Sequence, residues 1–255
     1  MRRSLIQAIE GFFGRDRYLD LYEIWRRDHV GTSPTAMTDL LELLRVDLRI
    51  HAKSWPKRSI PDGPLMLVAN HPFGIGDGLV ALSLAETLER PYRVLINSEL
   101  LKIPEVRPYA LAVDFRENEQ ALATNLETRR QATEFLRQGG TLVVFPAGGV
   151  ATAANPFGKA VELPWKLFPA RLVQATGATV LPVYFEGQNS VLFHLASRVS
   201  MTLRLALLIR EFRRFTCSPV DVHIGEFVSY RDLVHLKDRQ ALSDALYAMV
   251  HDFAP

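Results

Sequence analysis

Only one cysteine, Cys217, occurs in the 255 residues, so an intramolecular disulfide and a cysteine-only metal site are both excluded. That scarcity fits a reducing compartment. An excess of either charge is also missing. The net charge of +2 gives no global electrostatic drive toward nucleic acid. Long apolar runs are absent as well: the uncharged stretch from Thr141 to Gly158 contains two prolines, three glycines and Asn155, and makes a poor membrane-spanning helix. At the start of the chain, Arg2 and Arg3 precede apolar residues, but Glu10 interrupts them early, so no secretory signal is expected. No internal repeat or low-complexity segment is present.

What is there is apolar material in regular pieces. Hydrophobic residues make up 48% of the chain, enough for one α/β domain with a substantial core and a helical appendage. Residues from Met1 to about Arg27 read as an amphipathic helix broken at Gly14, with aromatics and arginines mixed; this suits either a membrane interface or packing on the protein's own core. A helix capped by Thr38 or Asp39 is expected next, through Leu40 to Val46. Seven short strands are expected, at Leu48–His51, Leu65–Ala69, Tyr92–Ile96, Leu111–Phe115, Thr141–Phe145, Thr179–Phe185 and Asp221–Gly225. Pro182 suggests that the sixth is an edge strand or carries a bulge. Glu117 to Gln138 reads as a helix with Leu122, Leu126, Ala132, Phe135 and Leu136 near one face. A further helix begins around Pro169 and ends at Gly177, and Asp238 to Phe253 reads as a closing helix. The expected division is a helical segment at 1–55 and an α/β domain at 56–255.

The chemistry concentrates after the second strand. Asn70, His71, a proline, Gly74, Gly76, Asp77 and Gly78 fill a loop before a helical pattern of Leu79, Leu82, Ala85 and Leu88. Ligands of open α/β sheets bind at such strand-to-helix loops. A neutral imidazole can take a proton near pH 7, and a carboxylate can fix its tautomer. The glycines would let the loop fold back so that Asp77 reaches His71. Plainer roles are open for both residues: Asp77 as the helix N-cap, His71 as a turn residue. Gly74-Ile75-Gly76-Asp77-Gly78 also looks superficially like a nucleotide phosphate loop, but it lacks the Gly-x-Gly-x-x-Gly spacing and a Walker lysine.

This stretch resembles the first signature of the glycerolipid acyltransferase superfamily, the lysophosphatidate acyltransferase-like proteins, in which Asn-His is followed by four residues and an aspartate. Here five residues separate His71 from Asp77, and the spelling Asn-His-Pro-x-Gly-x-x-Asp-Gly resembles a bacterial lysophospholipid acyltransferase branch. Leu111-Ala112-Val113-Asp114-Phe115-Arg116 resembles the second signature, with Phe115 inserted before the arginine. Phe145-Pro146-Ala147-Gly148 resembles the Phe-Pro-Glu-Gly signature, but Ala147 and Gly149 occupy the two places where an acid is usual. Leu181-Pro182-Val183-Tyr184-Phe185-Glu186-Gly187 resembles the fourth, a strand that walls the acyl site.

The resemblance implies a glycerol-3-phosphate-acyltransferase-like mixed sheet flanked by helices. It implies transfer of a fatty acyl group from acyl-carrier protein or a coenzyme A thioester to a lysolipid hydroxyl, with His71 and Asp77 as the catalytic dyad. Asn70, Gly74, Arg116, Phe145, Pro146, Gly148 and Gly149 are the implied substrate-binding residues. Arg116 grips an anion, with Arg107 as its competitor and an ordinary solvated arginine as the plainer role. No metal and no cofactor beyond the thioester co-substrate are implied. The expected setting is peripheral, on the cytoplasmic face of the inner membrane, with no transmembrane helix. A non-catalytic lipid-binding relative is the alternative, and the missing acid after Pro146 is its best argument.

Overall fold

The structure, a computed structural model, describes residues 15–56, 59–199 and 201–254. Helices α1 (Arg15–Asp28) and α2 (Ala36–Leu43) lead into β1 (Leu48–His51) and β2 (Leu65–Ala69). Next come α3 (Ile75–Glu86), β3 (Tyr92–Asn97), two short 3-10 turns and β4 (Ala110–Val113). The chain continues through α4 (Glu119–Arg137), β5 (Thr141–Val144), α5 (Leu167–Thr176) and β6 (Thr179–Phe185). It closes with α6 (Val191–Val199), α7 (Met201–Thr216), β7 (Val220–Ile224), α8 (Tyr230–Leu233) and α9 (Arg239–His251). The first 14 residues, including the expected break at Gly14, lie outside the described residues.

All seven expected strands are present and form one mixed sheet in the order β1-β7-β6-β2-β5-β3-β4. The five strands from β6 to β4 are parallel. β7 runs antiparallel to β6 and carries β1 parallel to itself, so the sheet begins within the first 55 residues. β2 is central, and all five of its residues are 0% exposed, which accounts for its unbroken apolar run. Its alternate side chains enter opposite layers: Leu65, Leu67 and Ala69 pack with α2 and α3, and Met66 and Val68 with α4, α5 and α9. The chain leaves β2 toward β3 and leaves the adjacent β5 the opposite way, toward β6. In open α/β sheets ligands bind at such a reversal, which here falls at the carboxyl ends of β2 and β5.

Three local expectations are corrected. Of the two alternatives for Pro182, the edge is wrong, since β6 lies between β2 and β7, and the bulge is right: between the Val183–Ile224 and Val180–Val228 pairs, two residues of β6 face three of the opposite strand. Pro182 is tolerated there because the regular β6–β7 pairing stops at Val183 and Ile224; the Pro182 carbonyl accepts from Gly225 N–H at 2.9 Å, and the ladder resumes at the Val180–Val228 bridge. In α4, Leu122 and Leu126 are 60% and 54% exposed. The inner face is Ala121, Thr128, Ala132 and Leu136, because Thr128 donates to the Ala112 carbonyl and Asn125 brackets the backbone of Asp114 at 2.8–2.9 Å. Polar side chains thus face inward to satisfy the edge strand β4.

The third correction concerns how the helical segment docks. α2 starts at Ala36, and Thr35 at its N-cap makes no side-chain cap. The cap comes from Glu86, on α3. Its carboxylate accepts from Met37 N–H and Tyr92 O–H on one oxygen, and from Thr38 N–H and O–H on the other, all at 2.9 Å. α1 follows: Trp25 is buried and its indole N–H donates to the Ala36 carbonyl at 2.6 Å. Replacing Glu86 by Ala would strand these donors near the base of the sheet. Chemical denaturation of Glu86→Ala is expected to show a loss on the order of 3 kcal/mol, with Glu86→Gln intermediate; parent-like stability for Glu86→Ala would contradict this role.

Candidate active site

The loop after β2 is closed by its own aspartate. Gly74 is the N-cap of α3 at φ +89, a conformation that favours glycine, and a Cβ there would also meet Val150 at 3.1 Å. Asp77, in the first turn, is 0% exposed. Its Oδ2 accepts from Phe73 N–H at 2.7 Å and Gly74 N–H at 3.2 Å. Its Oδ1 lies 2.9 Å from His71 Nδ1, an ion-pair approach whose angles fall outside hydrogen-bond geometry, and neither of these two buried atoms has a hydrogen-bond partner among the described residues. One carboxylate therefore caps the helix and faces the imidazole. A carboxylate opposite Nδ1 holds the proton there and leaves Nε2 as the nitrogen able to accept one.

His71 is also held by its backbone. The segment from Phe145 to Lys166 leaves the end of β5, folds on itself through the Thr152–Val161 bridge, and closes where Lys166 N–H meets the Pro146 carbonyl at 3.0 Å. Ala151 N–H donates to the His71 carbonyl at 2.8 Å. Glu162 Oε1 accepts the His71 N–H at 2.8 Å, while its Oε2 accepts from the Trp165 indole at 3.0 Å and lies 3.4 Å from His251 Nε2. The Phe145 ring packs on the imidazole at 4.3 Å between centroids. The Glu162 side chain is only 6% exposed.

Burial alone would push the His71 pKa down; the charge and close approach of Asp77, then the charge of Glu162, more than offset this, with Arg204 opposing, and the net direction is up. The site is thus a histidine made more basic by a carboxylate at its ring and a second behind its backbone.

The family described as Acyltransferase matches residues 50–217, more than half of the chain, from β1 to just past the end of α7. The chain belongs to this acyltransferase family. Among curated proteins, none matches it. The matched span contains both carboxylates and the histidine.

The other sequence candidates of this acyltransferase fall into two groups. Phe145, Pro146, Gly148 and Gly149 adjoin the dyad. Within that turn Gly148 N–H is taken by the Phe145 carbonyl at 3.0 Å, whereas Gly149 N–H has no acceptor among the described residues. Asn70 and Arg116 are engaged elsewhere. Asn70 is buried and joins β2 to β6, donating to the Phe185 carbonyl at 2.9 Å and accepting from Phe185 N–H at 2.7 Å. Arg116 forks onto both oxygens of Asp114 at 2.5–3.1 Å and holds that carboxyl below its usual range. Arg107 Nε donates to the Leu101 carbonyl at 2.7 Å. The residue that sequence reasoning missed is Glu162. The only local signal was a lone acid among apolar residues in Ala160-Val161-Glu162-Leu163-Pro164-Trp165.

The two duties of Asp77 are separable. Asp77→Asn keeps an acceptor for the turn amides and is expected to fold within about 1 kcal/mol of the parent, whereas Asp77→Ala loses about 2–3 kcal/mol; equal stabilities would contradict the capping role. The raised folded pKa has a sign as well. The Asp77–His71 contact contributes its full stability below the ordinary imidazole value of about 6.5, and that contribution fades as pH rises through the raised value. Titration of the His71 imidazole by NMR is expected to give a midpoint above the ordinary value, and Glu162→Gln is expected to lower it. A midpoint unmoved by Glu162→Gln would remove Glu162 from the site's electrostatics.

Proposed function

We propose that this acyltransferase moves a fatty acyl group from an acyl-carrier-protein or coenzyme A thioester to the free hydroxyl of a lysolipid. The observation that carries the reading is the 2.9 Å approach of His71 Nδ1 to Asp77 Oδ1 at the mouth of the sheet, in a chain of an acyltransferase family. Nε2 of His71 takes the proton of the acceptor hydroxyl as its oxygen attacks the thioester carbonyl. Asp77 balances the imidazolium, which then returns the proton to the leaving thiolate sulfur. The oxyanion formed between these steps needs a donor. Gly149 N–H and Gly76 N–H are the two candidates, since the amides of Phe73, Gly74 and Gly148 are already bonded.

The surroundings of the mouth favour a lipid acceptor. Ile75 follows the dyad loop directly, and Phe115 and Leu163 stand against Gly148 and Gly149; all three are exposed apolar side chains. Among the described residues no helix is long and apolar enough to cross a membrane. These exposed apolar side chains favour a peripheral position, which we propose to be on the cytoplasmic face of the inner membrane, where acceptor and mouth meet at the lipid surface.

His71→Ala is expected to lower acyl transfer to a lysolipid by about 10²-fold or more while leaving the circular dichroism spectrum unchanged. Parental activity should climb with pH through a midpoint above the ordinary imidazole value. A His71→Ala protein that still transfers acyl groups at the parental rate would overturn the mechanism.

A further inference from the structure

Helices α6 and α7 pack against each other and leave between them an apolar groove of about 290 Å³, lined by Leu192, Leu195, Ala196, Val199, Leu203 and Leu207. The groove shares a wall with the dyad loop. Phe193, Ala196 and Leu207 form a small cluster with Val150, and Val150 is the residue that crowds Gly74. Farther along α7, Phe215 lies so close to Gly76 that a Cβ there would meet its ring at 2.6 Å. Beside the groove, Arg204 lays its guanidinium over the buried Phe193 ring at 5.4 Å. It differs from Arg210 and Arg214 on the same helix, both of which reach the buried Glu211. Arg204 has no carboxylate or hydrogen-bond acceptor among the described residues, and burial lowers its pKa. Its charge is felt at His71.

We propose that this groove binds the single acyl chain of an anionic lysolipid, the acyl acceptor, with Arg204 gripping its phosphate or carboxylate. The assignment rests on the acyl-transfer reading. Two features select this occupant. The groove is apolar along its length, yet it has a half-buried cation at its side, matching a molecule with one chain and one anion. In a lysolipid the anion and the free hydroxyl are a few bonds apart, so an anion at Arg204 leaves the hydroxyl within the neighbourhood of His71. In an acyl thioester the carrier's phosphate is a whole pantetheine arm from the reacting carbonyl, too far for a cation this near the dyad.

The test is equilibrium binding to the full chain, without acyl donor, of lysophosphatidate, an N-acylglycine, a monoacylglycerol and inorganic phosphate. The anionic lipids are expected to bind at least about tenfold more tightly than the neutral one. A charged hydrogen bond of about 1.5–3 kcal/mol corresponds to roughly 10–100-fold in affinity, so Arg204→Gln should erase that preference by this factor and Arg204→Lys should keep part of it. Ala196→Trp, which fills the groove, should weaken all three lipids and leave phosphate unaffected. Preference for lysophosphatidate over the N-acylglycine would assign the site to phosphate, and the reverse to carboxylate. Equal affinity of parent and Arg204→Gln for the anionic lipids would overturn the proposal. So would unchanged lipid binding by Ala196→Trp. Arg204-dependent binding without any turnover would sink acyl transfer alone; turnover with an unchanged KM in Arg204→Gln would sink this site alone.

Discussion

The site depends on a buried carboxylate that has no water to turn to. Asp77 is 0% exposed, and a charge in that position is tolerated only when each oxygen is met. Two backbone amides meet one oxygen and the His71 ring meets the other. The same requirement fixes the turn, the start of α3 and the orientation of the imidazole. The pairing is therefore structural and chemical at once, and the sequence alternatives of helix cap and dyad partner describe two oxygens of a single side chain.

Around that pair the fold supplies a rigid seat. β2 delivers His71 from a strand buried on both faces, at the point where the chain leaves β2 and β5 in opposite directions. The long excursion after β5 then returns to clamp both backbone groups of His71, by Ala151 on the carbonyl and Glu162 on the amide. The Phe-Pro-x-Gly turn itself carries no acid, only Ala147 and Gly149. The second carboxylate at His71 is Glu162, at the end of the excursion, and it meets the His71 amide.

What was legible in the chain was whatever depends on neighbours in sequence. The apolar runs placed seven strands, Gly177 marked the end of α5 with its left-handed conformation, and the closing helix expected from Asp238 onward is α9. What was not legible depends on partners far along the chain. Glu86 caps a helix that begins 50 residues earlier, a partner that the local choice between Thr38 and Asp39 does not include. Pro182 announced an edge or a bulge, and only the facing strand, which carries the extra residue, decides for the bulge. Leu122 and Leu126 suggested an inner face because nothing local announces that β4 needs Asn125 and Thr128. The arginines near residue 210 read alike in sequence; only packing separates Arg204 from those paired with Glu211.

The central claim is that Asp77 fixes His71 with its proton on Nδ1 and its lone pair on Nε2. The most direct measurement is the ¹⁵N chemical shifts of the His71 ring in the full chain, recorded well above its titration midpoint. The account predicts a protonated Nδ1 and an unprotonated Nε2, with Asp77→Asn reversing the two. A parent protein whose neutral His71 carries its proton on Nε2 would contradict it.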